Sequence, residues 1–229
     1  MDITKKLNVI ATQTLGECWL KCIEHIVENG TVQQDEDINL YEVLGLSIEI
    51  SAPSCTDKII EKYGDTKVIS KMLAKFSKGI VMEDRPFTYG ERIYNQQGID
   101  QFEWLVTRLH TKQQTKSATI GLLLPGDNDP NLPCLSTLDV KIRNGKLELQ
   151  FFFRSQNIFG RQYANLLALV DLQSKLAQRC NVAIGSIRGY IASAHIYEFD
   201  FKDAQKLLNG EYFQIQDNYY KKGPKSVRA

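Results

Sequence analysis

The sequence predicts an α/β fold of the α+β kind, a mixed β-sheet flanked by helices. Three observations carry this. Asn144-Gly145, the residue pair that suits a two-residue hairpin turn, joins two alternating segments, LSTLDVKIR (135–143) and KLELQFFF (146–153). Residues 13–29 and 161–180 repeat their apolar side chains at helical spacing. Strand-like segments recur between the helical ones along the whole chain.

In order, Leu15, Trp19, Cys22, Ile23, Ile26 and Val27 define the first helix, with Gly30 as its stop. LSIEI (46–50) alternates as a strand and ends before Pro53. KVISKMLAKF (67–76) and IDQFEWLVTRLH (99–110) read as helices. SATIGLLLP (117–125) reads as a short apolar strand buried on both faces. After the hairpin, residues 161–180 place Tyr163, Leu166, Leu167, Val170 and Ala177 on one helical face, and SIRGYIASAHIYEFD (186–200) reads as a last strand. No linker, repeat or low-complexity tract divides the chain, so residues 1–229 read as one domain.

Hydrophobic residues make up 43% of 229, enough for a substantial core. Lys+Arg 28 against Asp+Glu 27 leaves a net charge of +1, which gives no general electrostatic reason to bind nucleic acid or an anionic membrane. No apolar run approaches a membrane span, and MDITKKLNVIATQTLGE lacks the apolar stretch of a signal peptide. A soluble cytoplasmic protein is the expectation. The five cysteines then read as reduced thiols, and with His25, His110 and His195 as the only histidines no metal site is expected. No phosphate loop, dinucleotide fingerprint, zinc-protease motif or serine-hydrolase elbow occurs.

The hairpin brings chemistry together. A two-residue loop opposes Arg143 to Lys146, so paired numbers sum to 289 and, without a bulge, Cys134 falls opposite Ser155. A bulge or an early strand end would turn Arg154 towards the thiol. An arginine there favours the thiolate, the nucleophilic form of cysteine, and Arg154 with Ser155 suits an anion such as phosphate. His195 and Tyr197, two apart on one strand face, suit sugar hydroxyls. Each of these signals alone reads better as ordinary core or surface.

Taken in order, L-P-C at 132–134, R-S-x-N at 154–157, A-N at 164–165 and A-H-I-Y at 194–197 resemble the thymidylate synthase family. Y-G-E-R at 89–92 with G-I-D-Q at 98–101 resembles that family's upstream stretch. The resemblance covers roughly residues 88–200, and H-I-Y-E-F-D with the short length is most similar to the archaeal branch. It implies transfer of a one-carbon unit from 5,10-methylenetetrahydrofolate to C5 of a pyrimidine nucleotide, foremost methylation of deoxyuridylate. By resemblance Cys134 is the nucleophile, Arg154 activates it and binds phosphate with Ser155, and Asn165 reads the ring's O4 and N3 edge. His195 and Tyr197 hold the deoxyribose, while Tyr89 and Asn157 lie on the folate side. The family also implies a homodimer packed sheet against sheet, with Lys116, near Lys112, in place of paired arginines that reach a partner's phosphate.

Several features depart from that pattern. An ungapped comparison puts Lys71 where the family has a catalytic glutamate, with Glu42, Glu83 or Glu91 as substitutes. Asn157 replaces an aspartate that contacts the pterin, the arginine-bearing N-terminal loop is missing, and 210–229, ending KKGPKSVRA, reads as a flexible tail. Hydroxymethyl transfer to a pyrimidine nucleotide, or nucleotide binding without catalysis, are the alternatives.

Overall fold

The computed structural model describes residues 8–80, 82, 87–126 and 132–225. Strand β1 (Val9–Thr12) leads into helix α1 (Leu15–Asn29), then β2 (Thr31–Asp35) and β3 (Ile38–Ile50). Helices α2 (Lys58–Tyr63), α3 (Thr66–Phe76), α4 (Tyr89–Tyr94) and α5 (Gln101–Thr111) follow, then β4 (Thr119–Gly121), β5 (Leu135–Arg143), β6 (Lys146–Phe153) and β7 (Gln156–Asn157). A π-helical turn (Ile158–Gln162) opens α6 (Tyr163–Arg179), and β8 (Ala183–Tyr197), α7 (Glu198–Leu208) and α8 (Tyr219–Lys222) complete the order. No helix among the described residues is long and apolar enough to cross a membrane.

The sheet runs β1-β3-β8-β6-β5-β4, with β2 added to β3 and β7 to β8. It is mixed: β8 is antiparallel to β3 but parallel to β6 and β7. Helix α1 starts at a capping box, Thr14 with Glu17, and buries Leu15, Cys18, Trp19, Cys22, Ile23 and Ile26. Trp19 donates its indole N–H to the Ile158 carbonyl at 3.0 Å and lies 4.7 Å from the Tyr163 ring, tying α1 to the start of α6. Helix α6 is buried on nearly every side through Val170, as a helix between a sheet and other helices must be. Deeper along it, the Gln173 amide donates to the carbonyls of Leu147, Gly185 and Ser186.

Two irregularities aim the functional strands. In the hairpin, Asn144 and Gly145 take φ of 51° and 71°, as the turn requires, and the expected register holds from Arg143↔Lys146 to Thr137↔Phe152. There it slips by one, so Leu135 pairs with Phe153 and the Arg154 N–H reaches the Cys134 carbonyl at 2.8 Å. The second irregularity lies where β3 crosses β8. Tyr41 and Val43 face the helices, but beyond Gly45 it is Leu46, Ile48 and Ile50 that do. Across from them Ile187 and Ile191 face inward, then Ala194 and Ile196. Both strands change parity together at Gly45, whose φ is 73°, and Ala192. Leu44, Phe152 and Tyr190 remain exposed on the face away from the helices, with the last two rings stacked at 5.5 Å.

Three expectations are corrected. Only 119–121 of the segment 117–125 is strand, and it is exposed-buried-exposed rather than doubly buried, because β4 is an edge strand paired to β5 alone. The last strand stops at Tyr197: Glu198 and Asp200 begin α7, where acidic side chains suit a helix N-terminus. The segment read as a flexible tail is docked as far as it is described, with Ile215 buried and its N–H on the Tyr63 carbonyl at 3.1 Å. Residues 226–229 lie outside the described residues.

Gly45 gives a direct test. A Cβ there would meet Tyr190 Oη at 3.1 Å and would sit on a left-handed backbone. Gly45→Ala should cost about 1–2 kcal/mol of stability in urea titrations. Tyr190→Phe in the same chain removes the contact but not the backbone strain, so most of the loss should persist.

Candidate active site

Cys134 stands half-buried at the entrance to β5. Its loop is held from three sides. The Arg154 N–H takes its carbonyl, the Arg154 side chain donates from Nε to Pro133 O (3.1 Å) and from Nη2 to Leu132 O (2.8 Å), and the Leu135 N–H donates to Tyr89 Oη at 3.4 Å. The bulge therefore brings Arg154 beside the cysteine loop. Its guanidinium braces the two preceding carbonyls.

A cavity of about 140 Å³ opens onto Cys134, and Tyr89, Ser155, Asn157, Asn165, His195 and Tyr197 share its wall. A more open bay adjoins it, shares Cys134, Ser155, His195 and Tyr197, and adds Arg154, Asp35 and Glu42. Of the residues singled out in the sequence, Lys116 stands apart, exposed in the loop before β4. The parity change in β8 turns His195 and Tyr197 to the cavity while Ala194 and Ile196 enter the core.

The polar groups are poised unevenly. Asn165, in the first turn of α6, is buried, and its Oδ1 has no protein partner, a cost of about 1–3 kcal/mol unless a ligand supplies a donor. Burial lowers His195 to about 4, which the Glu42 carboxylate opposes only in part, so the imidazole is neutral at pH 7; its Nδ1 also lacks a partner. Tyr197 is held protonated by burial, beside Tyr219 and Asp35, and donates its hydroxyl to Asp35 Oδ2 at 3.1 Å. Asn157 caps the π-helical turn: its Oδ1 accepts from the Gly160 N–H at 3.0 Å, so part of its amide is spent on the backbone.

The proposed replacements for the glutamate are sorted by the fold. Lys71 lies over the Tyr220 ring, 4.8 Å from its centre, and lines an outer groove with Lys67 and Asp65. Glu42 is on the bay side, accepting from the Ser193 hydroxyl, and Glu91 accepts from the Asn95 amide in another groove. Glu83 lies outside the described residues.

Other wall residues were missed from sequence. Met72 and Lys75 come from α3, Arg161 from the π-helical turn, and Tyr219 and Tyr220 from α8. Lys75 had a readable signal, since it falls on the buried stripe of α3 with Val68, Met72 and Phe76. The two tyrosines had none, because only the docking of residues 211–225 brings them here. Arg161 secures that docking through Asp217 at 2.7 Å, with its guanidinium 5.7 and 5.5 Å from the two rings. Asp200, buried under the same segment near Asn218, is pushed up to about 7 by burial.

Residues 62–218 match the family model described as thymidylate synthase. The chain is 30% identical over 211 residues to a protein of Methanosarcina acetivorans, covering 89% of this chain and 95% of that one. It is 28% identical over 216 residues to one of Methanothermobacter marburgensis, covering 87% and 97%. A relative in Methanopyrus kandleri is 28% identical over 204 residues, covering 85% and 95%. All three carry the name "Putative thymidylate synthase".

The two perturbed groups predict opposing pH effects. Between pH 6.5 and about 4 His195 is protonated in the unfolded chain but not in the folded one, so its contribution to stability is lost as pH falls. Between 3.8 and about 7 Asp200 is protonated in the folded chain but not in the unfolded one, so stability is lost as pH rises. The contributions offset between about pH 4 and 6.5. Against wild type, His195→Asn should show stability falling with rising pH in that window by up to about 1.4 kcal/mol per unit. Asp200→Asn should show the reverse slope. Urea titrations across the window measure both.

Proposed function

This chain belongs to the thymidylate synthase family, and from that premise we propose that it transfers a one-carbon unit from methylenetetrahydrofolate to C5 of a pyrimidine nucleotide, foremost methylating deoxyuridylate. The observation that carries the reading is that Cys134 shares a cavity with a buried Asn165 whose Oδ1 lacks a donor. A uracil ring has an N3–H for that oxygen and an O4 for the amide's N–H, whereas the ring nitrogen of cytosine is an acceptor. Neutral His195 and the phenol of Tyr197 then face the sugar, and Arg154 with Ser155 stands in the adjoining bay for the phosphate.

Carbon C5 of a pyrimidine is a poor nucleophile. Addition of the Cys134 thiolate at C6 makes C5 enolate-like, able to attack the methylene carbon of the folate. Loss of the C5 proton and departure of the folate nitrogen leave an exocyclic methylene. Hydride from the reduced folate adds to that methylene as the C6–Sγ bond breaks, giving the methylated nucleotide, dihydrofolate and free Cys134; water in place of hydride gives hydroxymethyl. The second outcome has one observation in its favour: Asn157, on the folate side, has its carbonyl oxygen engaged by Gly160.

We also propose a homodimer formed through the outer sheet face. Exposed Leu44, Phe152 and Tyr190 form an apolar surface there, and a partner across it would have Lys116 to offer to the phosphate bay. Sedimentation at micromolar concentration should give a dimer, and Tyr190→Arg should shift it towards monomer.

The reaction is tested with C5-tritiated deoxyuridylate or deoxycytidylate plus methylenetetrahydrofolate. Tritium should pass to water, faster from deoxyuridylate, and Cys134→Ser should abolish it; product mass separates methyl from hydroxymethyl. Nucleotide binding without release from any pyrimidine nucleotide would instead make the protein a binding relative. Asn165→Asp should move base preference towards cytosine, by up to about 100-fold for a mismatched buried hydrogen bond of about 1–3 kcal/mol.

A further inference from the structure

When a thiolate adds to C6 of a pyrimidine, negative charge gathers on O4 as the Sγ–C6 bond forms. A site that does this chemistry needs a donor or a cation there. Among the described residues lining the cavity with Cys134, none is a carboxylate, and two carry full positive charge, Arg161 and Lys75. Arg161 pairs with Asp217 and lies near the two tyrosine rings. Lys75 is the more deeply buried of the two. It comes from the last turn of α3, on the stripe whose other members, Val68, Met72 and Phe76, enter the core, and only 8% of it is exposed. Lysine is rarely buried to this degree. An ammonium removed from water interacts more strongly with a developing oxyanion than one on the surface. Lys71, one turn earlier, is over Tyr220 and lines the outer groove instead.

We propose that Lys75 is a catalytic residue of this site, its ammonium donating a hydrogen bond to O4 of the Cys134 adduct. This rests on the reading of the protein as a pyrimidine C5 enzyme and adds the residue that stabilises its first intermediate. As Sγ bonds to C6, the C5–C6 π pair becomes the C4–C5 π bond of the enolate, and the C4–O4 π pair settles on O4 against the Lys75 ammonium. When C5 takes its new bond, to the one-carbon unit or to a proton from water, the pair returns to the carbonyl. Lys75 keeps its proton throughout. A positive charge thus occupies the cavity wall, and it stabilises the enolate.

The test uses the full chain and C5-tritiated pyrimidine nucleotides, with and without methylenetetrahydrofolate, measuring tritium release at saturation and nucleotide Kd by calorimetry. Lys75→Met and Lys75→Gln should lower the saturating rate by about 100-fold to 1,000-fold, the cost of losing an oxyanion donor, while Kd moves less than about threefold. Lys75→Arg, which keeps the charge, should recover at least about a tenth of the wild-type rate. Circular dichroism establishes that each variant folds. Where a neutral variant does not, Lys75→Arg decides: folded, it should keep at least about a tenth of the wild-type rate, because guanidinium also carries the positive charge. Neutral variants within threefold of wild type, a loss confined to Kd, or a folded Lys75→Arg as slow as about a hundredth of wild type would each overturn the role of Lys75 while leaving C5 chemistry standing. A wild-type protein that releases no tritium from any pyrimidine nucleotide under either condition would overturn the C5 reading and Lys75 together.

Discussion

The arrangement of this protein depends on β8 changing parity halfway along its length. A strand alternates strictly, so a residue's face is set by whether its number is odd or even until something breaks the count. If β8 kept the parity of Ile187 and Ile191, His195 and Tyr197 would point into the helices and Ala194 and Ile196 away from them. The break at Ala192, matched on β3 by Gly45 in a left-handed conformation, reverses this. One face of the same strand then displays Tyr190 to the exterior and, five residues on, His195 to the cavity. Both strands must shift together, because a shift in one alone would lose the register between them.

The hairpin bulge does a related job at the other wall. Slipping the β5–β6 register by one residue places Arg154 against the loop that carries Cys134, and β7, from Gln156, continues along β8 beyond the end of β6 in unbroken register. Cysteine, arginine and serine on one side and histidine and tyrosine on the other are thus joined by a short shared ladder. Buried polar contacts tie it to the helices behind, notably Gln173 with three carbonyls of β6 and β8 and Trp19 with the π-helical turn. Catalytic geometry is held by such supports more than by the reacting groups themselves.

The cavity's remaining wall comes from elements with no sheet geometry to guide them. The C-terminal segment docks through Ile215, the Arg161–Asp217 pair and Asp200, and so delivers Tyr219 and Tyr220. Helix α3 delivers Lys75 from its buried stripe. These contributions give the cavity a cationic and aromatic lining, while Asp35 and Glu42 lie on the bay side. Charge is therefore distributed unevenly between the two compartments that share Cys134.

By itself the sequence determined the local elements and the chemical parts. Asn144-Gly145 demanded a turn with two positive φ values, helical spacing marked α1, α3, α5 and α6, and five short fragments in order pointed to the family that the chain matches. Those signals are legible because each depends on neighbours within a few residues. Tertiary structure decided how the parts face one another. That 117–125 shortens to an edge strand, that Glu198 turns the chain into a helix, that Lys75 rather than Lys71 reaches the cavity, and that the tail packs as a wall all depend on contacts between residues far apart in the chain. A parity change is the clearest case: one residue out of step reverses every side chain beyond it, and only the partner strand and the layer packed behind it select which count prevails.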